Sequence, residues 1–82
     1  MNAVTALERD LADARYIAEE RAAFDAARAG RPERWAPAAA RTAWEAAVRG
    51  VHTRRGGDRG VQSLIAAAAG VAPSSIHRIV HT

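Results

Sequence analysis

The chain has 82 residues, a length that allows one small domain burying only about 60% of the surface its unfolded form exposes, which argues against a large enclosed active-site cavity. It contains no cysteine, which excludes a disulfide framework and a thiolate metal site. All 12 of its basic residues other than histidine are arginine, and the net charge of +3 divides into −2 over residues 1–29 and +5 over residues 30–82, so any polyanionic partner is expected at the C-terminal part.

Residues 2–11 include Glu8, Arg9 and Asp10 where a secretory leader needs an apolar core. No stretch approaches the roughly 20 apolar residues of a membrane span. The expectation is a cytoplasmic protein without membrane contact. Residues 2–29 are strong helix formers without glycine or proline and predict one long helix. Val4, Leu11, Ala14, Ala18 and Ala22 fall within about 60° of Leu7 around the helix axis, and Ile17 and Phe24 lie about 80–100° to one side. Arg21 falls inside this stripe and marks its rim. The stripe has two uses open to it: packing on its own domain, or pairing with a second copy of the chain. With about a third of the sequence in one amphipathic helix, a homodimer through this helix is expected.

Residues 30–36 form a connector, because Gly30, Pro32 and the following Pro37 interrupt the helical pattern. Trp35 is expected to tuck onto the core. Pro37 suits the first turn of a helix over residues 38–49, whose Ala40, Ala43, Trp44, Ala47 and Val48 share one face, with Gly50 as its left-handed stop. Both tryptophans read as core residues rather than stacking platforms. Residues 51–60, VHTRRGGDRG, read as a loop. Its Arg54, Arg55 and Arg59 suit either a solvated linker or a phosphate-contacting segment ahead of a helix N-terminus, where free amides also favour anions. It is not a nucleotide-binding loop, since no Gly-Lys-Ser or Gly-Lys-Thr follows and no strand leads into it.

A helix over residues 61–69 aligns Leu64, Ile65, Ala68 and Ala69 on one face, and Gly70 allows a sharp turn. Val71 can plug the angle beyond it. Pro73 opens a second short helix with Ile76, Ile79 and Val80 inward, and small Ala66 and Ala67 let the two helices cross closely.

Residues 62–81 resemble the helix-turn-helix DNA-binding motif of phage repressors, of the small bacterial regulators related to them, and of the C-terminal ends of resolvases and transposase-type proteins. The residues that carry the resemblance are Gln62 at the opening of the first helix, Ala66 at the crossing, Gly70 in the turn, Val71 after it, and Ile76 and Ile79 as the buried pair of the second helix. Ala72 departs from the pattern, because a serine or threonine there often caps the recognition helix, an effect of about 1 kcal/mol. No wing or further helix is expected after Thr82.

The helical pattern and the resemblance together lead to an all-α fold: a long N-terminal helix over residues 1–29 that stabilises or dimerises, the connector at 30–36, and a small tri-helical helix-turn-helix bundle over residues 37–82. It implies that Pro73, Ser74, His77, Arg78 and His81 face the major groove, with Ala72 and Ser75 at its edge. Arg78 then suits guanine or a phosphate, and Ser74 and His77 suit base edges. Gln62, with Arg54, Arg55 and Arg59, would contact the phosphate backbone, which positions without specifying. A dimer would read half-sites about 34 Å apart on an inverted repeat. The expected function is sequence-specific binding of double-stranded DNA by a small transcriptional regulator of phage, plasmid or mobile-element type. A reading from a different class is a protein-interaction adaptor or toxin-neutralising helical protein, whose apolar contacts would lack the steep salt dependence of DNA binding.

His77 and His81 stand four apart on one helix, the spacing of a metal clamp. Zinc needs three or four protein ligands and no cysteine or neighbouring carboxylate completes the pair, so no metal or other cofactor is expected. Ser63, Ser74 and Ser75 lack a recognisable base and orienting acid, so no enzyme is expected.

Overall fold

Helix α1 (Ala6–Arg28) starts where Thr5, in extended conformation, accepts the Glu8 amide on its hydroxyl at 3.1 Å. That bond satisfies one of the amides that the first helical turn leaves without a partner. The helix ends at Ala29, which adopts the left-handed conformation at φ 52° and ψ 49°. The computed structural model describes residues 5–82, with the side chain of Arg59 outside that description. Val4 and the expected helical start at residues 2–4 therefore lie outside the described residues. A single 3₁₀ turn (Glu33–Trp35) forms the connector and leads to α2 (Ala38–Arg54), with Pro37 immediately before its first residue.

Helix α2 does not stop at Gly50. It continues through Gly50 for a further turn, because Val51 fills the core at 0% exposure. The stop is supplied by Gly56 at φ 81°, where the Gly57 amide donates to the His52 carbonyl at 2.8 Å and the Gly56 amide to the Thr53 carbonyl at 3.0 Å. This double bond pattern satisfies the last carbonyls of the helix. The expected loop over residues 51–60 thus shrinks to residues 55–58.

Helix α3 (Arg59–Ala69) is capped by Asp58, whose carboxylate accepts the Gly60 amide at 2.9 Å. At its other end Gly70 takes φ 70° and ψ 30°, and the same pattern recurs: the Val71 amide donates to the Ala66 carbonyl at 3.0 Å and the Gly70 amide to the Ala67 carbonyl at 3.3 Å. Helix α4 (Pro73–Val80) follows with Pro73 in its first turn.

The long α1 lies across α2 and α3, and α4 packs against both of these from the other end. Ile17 and Phe24 of α1, Trp44, Val48 and Val51 of α2, Val61, Ile65 and Ala66 of α3, and Ile76 of α4 form one core. Ala66 is buried at the crossing as expected, whereas Ala67 faces solvent. The fold is all-α, with no strand among the described residues. No single described helix is long and apolar enough to cross a membrane.

The buried face of α1 is one side of the expected stripe and not its centre. Asp13, Ile17, Arg21 and Phe24 point inward, while Leu7 and Leu11 are 69% and 59% exposed, Ala18 and Ala22 are exposed and Ala14 is half-buried. The inward face accepts two charged residues because each is neutralised. Arg21 lies with its guanidinium carbon 4.8 Å from the Phe24 ring centre and 5.2 Å from that of Trp44, and pairs with Glu33 at 2.5 Å and Asp25 at 3.3 Å. Such a cation stacked on aromatic faces keeps an attractive electrostatic environment when partly desolvated. Trp44 is a core residue, but Trp35 is 62% exposed and does not tuck onto the core.

Candidate nucleic-acid interface

The chain turns by 118° between residues 60–69 and α4. Four apolar side chains hold α4 at that angle: Ile76 is fully buried, and Val71, Ile79 and Val80 are half-buried against the core. Arg49 of α2 secures the far end, donating from Nε to the Ile79 carbonyl at 3.2 Å and from Nη2 to the Thr82 hydroxyl at 3.2 Å. A cation at a helix C-terminus satisfies its unpaired carbonyls and opposes its partial negative charge. With one side of α4 fixed in this way, Pro73, Ser74, His77, Arg78 and His81 are exposed on the other. Ala72 is exposed before the helix and supplies no side-chain cap, and Ser75 is half-buried.

On one flank of α4, Gln62, Ser63, Pro73, Ser74 and His77 line a shallow depression of about 270 Å³. The Gln62 carboxamide bridges two rings, with Oε1 3.3 Å from His77 Nδ1 and Nε2 3.4 Å from His52 Nε2. The His77 and His81 rings lie in tilted contact with centres 4.2 Å apart, and His52 meets His81 edge-on at 6.5 Å. These contacts restrict the rotamers of Gln62 and His77, so polar groups on the exposed face are partly ordered in advance. Sequence reasoning missed His52 because the loop expected at residues 51–60 gave it no fixed place. No group of three histidine or carboxylate side chains among the described residues is arranged to hold a metal ion.

The other flank is a deeper groove of about 360 Å³ with Trp44 and Ile76 at its wall and Arg34, Arg41, Ser75 and Arg78 around it. Arg41 is steadied by donating Nη2 to the Glu33 carbonyl at 2.7 Å. The two acids beside the groove are already matched, Glu33 by Arg21 at 2.5 Å and Glu45 by Arg49 at 3.5 Å. Arg34, Arg41 and Arg78 have no carboxylate partner among the described residues. The groove therefore concentrates positive charge beside α4. Arg34 and Arg41 also escaped the sequence reading, since they stand more than 30 residues before α4 and reach it only through the packing of α2 on α4.

Arg54 and Arg55 are placed differently. Arg54 is the last residue of α2 and donates to Asp13 at 2.5 Å, while Arg55 donates to Asp13 at 2.6 Å and to Asp10. Burial alone would push the Asp13 carboxyl up, but the hydrogen bonds from Arg55 and Arg54 and their charges outweigh it and hold the group below the usual carboxylate range. The hydrogen bonds to Asp10 and Asp13 raise the Arg55 guanidinium further. Both arginines thus tie α1 to the end of α2, and their charge is largely cancelled by α1. The side chain of Arg59, the third arginine of this segment, lies outside the described residues.

Neither a protein-family model, nor a curated protein, nor a solved structure matches this chain.

Proposed function

We propose that the protein binds double-stranded DNA through the exposed face of α4 and acts in the cytoplasm as a small sequence-specific transcriptional regulator. The observation that carries this reading is the setting of α4: its inner side is fixed in the core, its outer side offers Ser74, His77 and Arg78, and Arg34, Arg41 and Arg78 stand along one flank without carboxylate partners among the described residues. The glycine turn and the steep angle between α3 and α4 support reading the pair as a helix-turn-helix with α4 as its reader. Its first residues and outward face enter the major groove. Arg78 is the group for a guanine edge, and Ser74 and His77 reach neighbouring base edges. Arg34 and Arg41 take phosphates along one strand, and Gln62 approaches the backbone on the opposite flank. Arg54 and Arg55 contribute less to phosphate binding than their sequence position suggests, because Asp10 and Asp13 compete for them.

Titration of duplex binding against salt tests the reading. Neutralising about two phosphates per chain gives a log–log slope near −2, and Arg41→Ala lowers binding to all duplexes about equally while reducing the slope by about 1. Absence of salt-sensitive binding would contradict it and favour a protein-interaction adaptor.

A further inference from the structure

We infer that the uncovered face of α1 is a self-association surface on which a second copy of this chain packs antiparallel. This does not rest on DNA binding. The face is formed by Leu7, Leu11, Ala14 and Ala18, which follow one another at steps of four, three and four, the alternation of a helix pairing seam. Leu7 and Leu11 are 69% and 59% exposed, Ala18 is exposed and Ala14 is half-buried. The residue that would continue the seam, Arg21, is turned into the protein's own core, so the seam ends there.

Two features select the occupant and its direction. Size is the first. A parallel partner would stack leucine on leucine at one end and alanine on alanine at the other, forcing the two axes apart at one end. An antiparallel partner sets Leu11 against the partner's Ala14 and Leu7 against the partner's Ala18, and the two-fold operation repeats both layers at an even separation. Charge is the second. Glu8 and Arg15 border the same edge of the seam, are both exposed, and have no ion-pair partner among the described residues. Edges of the same kind meet in an antiparallel pair, so Glu8 faces the partner's Arg15 twice. In a parallel pair Arg15 would instead face the partner's Asp10, a carboxylate already bonded to Arg55.

Sedimentation equilibrium of the full chain tests this. The wild type associates reversibly to a dimer as concentration rises. Leu11→Glu stays monomeric with its helical circular dichroism unchanged, because Leu11 makes no part of the core. Arg15→Glu sets like charges opposite each other and raises the dissociation constant about tenfold, which is about 1.4 kcal/mol. Combining it with Glu8→Arg restores association. A wild type that remains monomeric at every concentration, or a dimer that survives Leu11→Glu, overturns the surface. A double variant that associates no better than Arg15→Glu overturns the antiparallel register.

Discussion

The Asp13 side chain is 8% exposed and accepts from two arginines, one of which, Arg55, is itself only 14% exposed. Removing the carboxylate leaves the Arg55 guanidinium partly desolvated with only Asp10 to balance it. Asp13→Ala is therefore expected to destabilise the fold by about 2–3 kcal/mol, read from urea denaturation midpoints. The same ion pairs fix the sign of an acid effect. The folded carboxyl lies below its ordinary value of about 3.9, so the unfolded chain takes up the proton first as pH falls. The contribution of Asp13 is complete above that value and is lost as pH drops through the folded value, so Asp13→Asn should flatten the loss of stability below about pH 4. An acid limb equally steep in the variant would contradict this. Arg21, Arg28, Arg49, Arg54 and Arg55 each face a carboxylate, whereas Arg34, Arg41 and Arg78, the arginines proposed to meet DNA, face none among the described residues.

Helix ends explain which elements could be read in advance. Gly70, Pro73 and the spacing of Ile76, Ile79 and Val80 specify the turn and α4 locally, and the structure follows them closely. Gly50 misled because an isolated glycine within a helix resembles a stop, and only the burial of Val51 one residue later overrides it. The inward face of α1 was hidden for a related reason: Asp13 and Arg21 lie on it, and their partners come from residues 33, 54 and 55, which no local pattern connects to α1. The cationic groove was illegible on the same grounds, being assembled from the 3₁₀ turn, α2 and α4. Two substitutions follow. Gly50 is helical, exposed, and has nothing within 4 Å of an added Cβ, so Gly50→Ala should stabilise by about 0.5–1 kcal/mol. Ala72→Ser should supply the missing cap of α4 and add about 1 kcal/mol. For a domain this small, each 1 kcal/mol appears as about 4–8 °C in Tm, and an unchanged or lower Tm would contradict the helix-end argument.

At the scale of the molecule, the core occupies the region where α1 crosses α2 and α3 and α4 closes against both, and the first two turns of α1 bury no residue in it. Two outward surfaces result, the apolar seam of α1 and the basic surroundings of α4. Pairing along the first would present two copies of the second, and an isologous two-fold pair calls for a DNA site with matching symmetry. DNA reading by α4, as proposed, is tested by selection of bound duplexes from a random pool at about physiological salt, with wild type and Arg78→Ala side by side. The wild type is expected to enrich an inverted repeat, and the variant to lose the preference at the guanine assigned to Arg78, equivalent to about 1–3 kcal/mol of discrimination. No enriched sequence, or an identical preference in both proteins, would contradict it.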